Sequence, residues 1–181
     1  MAKYSDIKGF TVQTLSSDPA ASIAETGTWA SGTSINTGRL QLGGTGIESA
    51  SLVFGGVVSP PNTVANTESW NGTAWTEVND LNTARTLTGQ GFGTYTAAIA
   101  GTGSTSGPGT GMPGAVESWN GTSWTEVADM ALRRENCGAT TVGTAVGTMA
   151  VGGNSDFTSP NPTTITEDWN VDAALSTVTI S

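Results

Sequence analysis

Histidine is absent from the 181 residues, and cysteine occurs once, as Cys137. Without an imidazole there is no Ser-His-Asp triad, no histidine general base and no histidine metal site. A single thiol closes no internal disulfide. Cys137 also falls in a stretch expected to form a strand, where an unpaired thiol behaves as a small buried apolar group. Basic residues are equally scarce, at six against fifteen acids, for a net charge of −9. Neutralising phosphates requires lysine and arginine, so a nucleic-acid partner is not expected. No run of roughly eighteen apolar residues occurs, which argues against membrane insertion. Met1 to Asp6 is not followed by the apolar stretch of a secretory signal, so none is expected. The glycine-rich segments lack a P-loop lysine and a following helix, and no Asp-x-Asp-x-Asp-Gly cluster is present. Together these absences predict no catalytic residue, no cofactor, no metal and no enzymatic activity.

What is abundant is glycine, at 25 residues, together with serine and threonine. Glycine and β-branched threonine both disfavour helices, whereas short strands joined by turns accommodate them. The sequence also repeats itself. Glu68 to Arg85 reads ESWNGTAWTEVNDLNTAR and Glu117 to Arg134 reads ESWNGTSWTEVADMALRR. A partial copy stands at Glu167 to Asn170. The step from Trp70 to Trp119 is 49 residues and that from Trp119 to Trp169 is 50. Periods of about forty to fifty residues with glycine and tryptophan signatures mark the blades of β-propellers.

Within one period four strands are expected. Leu40 to Leu42 is the first, broken by Gly43-Gly44, and Ala50 to Phe54 is a buried second strand ending in Gly55-Gly56. A proline-containing loop over 57 to 66 leads to a hairpin of Thr67 to Trp70 and Ala74 to Val78. Asn71-Gly72 and Asn120-Gly121 predict type I′ turns, because asparagine tolerates and glycine accepts positive φ. Later periods repeat this pattern with strands at 96 to 100, 116 to 119 and 148 to 151, and with loops at 102 to 115 and 154 to 163. The last period has no second tryptophan. Conversely, Trp29 to Arg39 carries the end of the motif with no strands before it. The fold class is therefore all-β, with three four-stranded repeats, the last blade being completed by the N-terminal strand. Three blades fall short of the four to eight usual in a propeller, so ring closure by oligomerisation is expected, with a dimer of six blades competing against a trimer.

The repeated side chains take structural parts in this scheme. Trp70 and Trp75, Trp119 and Trp124, and Trp29 and Trp169 at the ends, should lay apolar surface against the adjoining blade. Arg39, Arg85 and Arg134 each follow a tryptophan by ten residues. They are expected to pair with carbonyls or with Glu68, Glu117 and Glu167.

The period, the Gly-Gly pair, the recurring tryptophan and the following arginine resemble the kelch repeat over residues 28 to 170. More narrowly, TESWNGTAWTEVNDLNTAR at 67 to 85 and MAKYSDIKGFTVQTLSSDPA at 1 to 20 resemble kelch-like proteins of marine tailed bacteriophages, of tail-fibre or virion type. That resemblance implies a virion structural protein on the particle surface, as a capsid decoration or tail appendage, whose partners are other virion proteins and copies of itself. A receptor-binding module, contacting a host glycan or protein through the long loops, is the alternative. The expected organisation is an N-terminal arm over 1–26, a repeat domain over 27–172 and a C-terminal strand or tail over 173–181.

Overall fold

The computed structural model describes residues 28–59, 62–87, 91–105, 111, 114–139, 147–155 and 162–170. The arm expected over 1–26 and the tail over 173–181 lie outside the described residues, as do parts of the loops at 102–115 and 154–163. The chain divides between Gly32 and Thr33, and every strand belongs to the second unit. Among the described residues there is no helix, and hence none long and apolar enough to cross a membrane.

The strands run β1 (Gly43–Ile47), β2 (Ala50–Phe54), β3 (Val57–Ser59), β4 (Asn62–Thr63), β5 (Thr67–Trp70) and β6 (Trp75–Val78). They continue as β7 (Phe92–Thr94), β8 (Ala97–Ala100), β9 (Val116–Trp119), β10 (Trp124–Val127), β11 (Gly138–Ala139), β12 (Gly147–Val151) and β13 (Thr166–Asn170). They build a first sheet β1-β2-β5-β6, a second β7-β8-β9-β10 and a third β11-β12-β13, all antiparallel, with β3-β4 as a separate small ribbon. None closes into a barrel among the described residues.

Register keeps the three sheets in step. Val53 faces Glu68, Ala100 faces Glu117 and Ala150 faces Glu167. By the same pairing Leu52 corresponds to Ile99 and Met149, and Phe54 to Gly101 and Val151. Side chains alternate between the two faces of a strand, so the second sheet offers one face to the first and the other to the third. Leu52 and Phe54 leave the first sheet on one side and meet Ala98, Ala100, Trp119 and Trp124 of the second. Phe92, Ile99 and Val116 leave the second sheet and meet Ala139, Ala150 and Trp169 of the third. Phe54 stands edge-on to Trp124 with ring centroids 4.8 Å apart. A buried ring of this kind removes roughly 150–250 Å² from water, worth up to about 4–6 kcal/mol.

Several sequence-based expectations need correction. The first strand starts at Gly43 instead of ending there. Gly43 and Gly44 pair with Phe54 and Val53, while Leu40 makes a lone bridge to Val57. The 57–66 loop contains the β3-β4 ribbon. Cys137 precedes β11, though it is buried as expected. The Asn-Gly turns are not type I′. Trp70 pairs with Trp75 and Trp119 with Trp124, which leaves four residues in each loop. Only the glycines have positive φ, 90° at Gly72 and 93° at Gly121. Each asparagine instead closes its loop with its side chain. Asn71 Oδ1 accepts from the N–H groups of Thr73 and Ala74, and Asn120 Oδ1 from those of Thr122 and Ser123. Finally, residues 28–39 contain no strand, and the third sheet has three strands among the described residues. Residues 36–39 are held by side-chain bonds to Glu68 instead of a ladder. Trp29 is fully exposed.

Candidate functional site

The most elaborate polar arrangement in the described residues is a clasp that occurs three times. In the second sheet Arg85 Nη2 donates to Glu117 Oε1 at 2.8 Å, Nη1 to the Ala115 carbonyl at 2.6 Å and Nε to the Thr83 carbonyl at 3.4 Å. Glu117 Oε2 in turn accepts from the backbone N–H of Asn82 at 2.7 Å and from its side-chain Nδ2 at 3.0 Å. The same Nδ2 reaches the Trp124 carbonyl at 3.2 Å. The segment leaving the first sheet is thereby tied to the middle of the second.

The first sheet repeats the design. Arg39 Nη2 meets Glu68 Oε1 at 2.7 Å, and Nη1 meets the carbonyls of Gly55 and Asn66. Asn36 supplies its N–H and Nδ2 to Glu68 and reaches the Trp75 carbonyl at 3.2 Å. In the third sheet Arg134 meets Glu167 and the carbonyls of Gly152 and Ile165. Ala131 and Leu132 donate their N–H groups to the same carboxylate. Here Ala131 stands where the others have asparagine, and among the described residues the sheet has no fourth strand whose carbonyl an asparagine could reach. All three arginine side chains are fully buried, but the glutamates are 2%, 1% and 21% exposed.

Buried ions of this kind are tolerated only when every donor and acceptor is matched. Burial pulls the Arg85 guanidinium below its ordinary pKa, and the Glu117 carboxylate opposes that shift. Burial likewise pushes the Cys137 thiol up. That thiol is therefore a poor nucleophile.

Of the remaining repeated side chains, Trp119, Trp124 and Trp169 sit at the junctions between sheets. Trp119 and Trp124 are 3% and 6% exposed, wedged against the first sheet, and Trp124 Nε1 donates to Thr67 Oγ1 at 3.1 Å. Trp70 and Trp75 hold the corresponding positions on the outer face of the first sheet, where they stack on one another at 5.3 Å. Trp70 and Trp119 donate to the turn carbonyls of Glu48 and Tyr95. Trp169 packs into the second junction. That junction holds a cavity of about 80 Å³ lined by Ile99, Gly101, Val116, Met130 and Trp169 among others. Gly101 and Val116 occupy the positions that Phe54 and Thr67 hold in the first junction, where Phe54 and Trp124 fill the space. Among the described residues no group of three or more acids or thiols is placed to hold a metal.

The fold is similar to that of YjhT. The match has a TM-score of 0.61 at 12% identity and covers 80% of this chain but 46% of that one. The chain thus spans less than half the length of YjhT, and the likeness concerns the fold alone. No protein-family model matches the sequence, and no curated protein does.

Sequence repetition points to the arginines, tryptophans and glutamates of these sites. Asn36, Asn82 and Thr67 are not among the residues singled out from the repeat. The asparagine stands three residues before the arginine in two copies of three, a legible signal. Thr67 carries no comparable mark, because its partner Trp124 is 57 residues away.

Proposed function

We propose that the protein is a non-enzymatic structural component of a phage particle, carried on its surface as a capsid decoration or tail appendage. Its three sheets are the blades of a kelch-like propeller whose ring is completed by oligomerisation. The clasps carry this proposal most directly. The three arginines of the repeat and their three glutamates tie each sheet to the segment that leads into it, from residues 36–39 at the first sheet and from the preceding sheet at the second and third, with their hydrogen-bonding capacity turned inward. Such side chains build a frame and are not free to act on a substrate. The resemblance of residues 1–20 and 67–85 to kelch-like virion proteins supplies the setting, and the acidic composition accords with it.

The test is location. Antibody labelling of intact particles from a phage encoding this chain, with mass spectrometry of gradient-purified virions, should find the protein at stoichiometric abundance and accessible on the outside. Its absence from purified particles refutes the assignment. Specific retention on a glycan array, abolished by replacing loop 57–66, would instead make it a receptor-binding module.

A further inference from the structure

The two ends of the sheet array do not match water as well as they match each other. At the first junction Leu52 and Phe54 are 1% and 0% exposed because the second sheet covers them. Their counterparts on the last sheet, Met149 and Val151, are 38% and 42% exposed. At the opposite end, the Trp70–Trp75 pair occupies the positions of the buried Trp119–Trp124 pair and is only half covered. One end thus carries the apolar pair that tryptophans cover, and the other carries the tryptophans.

A polar detail makes the match specific. Trp124 Nε1 is satisfied by Thr67 Oγ1 across the first junction. By register, Thr67 corresponds to Val116 in the second sheet and Thr166 in the third, since Phe54 pairs with Thr67 and Val151 with Thr166. The second junction, which has valine here, receives no second tryptophan, because position 174 is alanine. Threonine returns at 166, on the outer face, where no tryptophan of this chain arrives. Neither the Trp75 indole N–H nor the Thr166 hydroxyl has a partner among the described residues.

We infer that the outer face of β5-β6 docks on the outer face of β12-β13 of a second copy, with Trp75 over Val151 and its indole N–H donating to Thr166. The arrangement repeats the junction between the first and second sheets, so it extends an interface the chain already makes. It rests on the blade assignment proposed above and names the surface that closes the ring. A contact between two different faces is head-to-tail, and either closes or runs on indefinitely. With three sheets per copy, six is the only multiple of three within the usual four to eight blades. Two copies therefore close it.

Light scattering coupled to size-exclusion chromatography tests this directly. The wild-type chain should run at twice 18.3 kDa. Val151→Asp and Thr166→Arg alter exposed positions of the single chain, so both should run at 18.3 kDa with unchanged circular dichroism. Trp75→Ala should do the same. Mixing Trp75→Ala with Val151→Asp leaves one intact junction per pair and should restore dimer. A monomeric wild type, as when a segment of the same chain covers these faces, overturns the inference. So does a Val151→Asp chain that remains dimeric, the result for a contact of the tryptophan face with itself. These masses are independent of whether the protein is found on a particle, so this surface assignment and the virion location fail separately.

Discussion

Glu117→Gln is the substitution that most sharply tests the clasp. It preserves shape, so no cavity accompanies the loss of charge. Arg85, with a fully buried side chain, is left as an uncompensated cation, and the Asn82 N–H and Nδ2 lose part of their acceptor. Removing one partner of a buried pair costs about 3–5 kcal/mol, against a total stability of about 5–15 kcal/mol for a domain. A melting temperature lowered by about 10 °C follows, since each kcal/mol moves a chain of this length by about 2–4 °C. Glu167→Gln should cost less, about 1–2 kcal/mol, because its carboxylate is 21% exposed and water screens what remains. Urea unfolding followed by tryptophan fluorescence, with Trp119 and Trp124 beside the clasp, measures both. If Glu117→Gln stays within about 1 kcal/mol of wild type, or the two variants cost the same, the clasps do not hold the sheets together as described.

Two more predictions concern the thiol and a glycine. The Cys137 pKa is raised by burial, so the folded chain keeps a proton that the unfolded chain releases. Its contribution to stability is full below the ordinary thiol pKa and falls as pH rises above it. Thermal melts across pH 7 to 10 should show that decline shrinking in Cys137→Ala; an unchanged profile would refute it. Gly103 has φ of 106°, and a Cβ there would lie 1.6 Å from the Thr86 carbonyl oxygen. Gly103→Ala should cost about 3 kcal/mol or more or prevent folding, whereas Gly147→Ala, with nothing within 4 Å, should stay within about 0.5 kcal/mol. Equal melting temperatures for the two would contradict the geometry.

Much of this architecture was legible in the residues. Ala50–Phe54 and Thr67–Trp70 are strands at their expected bounds because a short apolar run or an alternating one ends at glycine or asparagine. The pairing of Arg39, Arg85 and Arg134 with the glutamates was legible through repetition, since three of six basic residues recur at one place. What failed was local geometry. Asn-Gly suggested a two-residue turn, but the stacked tryptophans fix the last ladder pair, so four residues must loop between them. Gly43-Gly44 looked like a break, yet both pair within β1, and the close approach there falls on another glycine: a Cβ on Gly91 would lie 2.4 Å from the Gly44 oxygen. Residues 28–39 imitate a fourth strand in spacing only, because spacing carries no information about which atoms satisfy the backbone.

The three clasps are chemically alike but unequally sheltered, and the difference runs in one direction along the chain. At the first and second sheets the carboxylate is sealed and an asparagine braces it. At the third it is 21% exposed, Ala131 replaces the brace, and the junction beneath holds the 80 Å³ cavity. Local opening is cheapest where buried contacts are fewest, so amide protons on β12 and β13 should exchange through fluctuations that leave β2 and β5 closed. The array should therefore open first at β12 and β13, whose outer face bears Met149 and Val151. Whatever covers that face sets the lifetime of everything behind it.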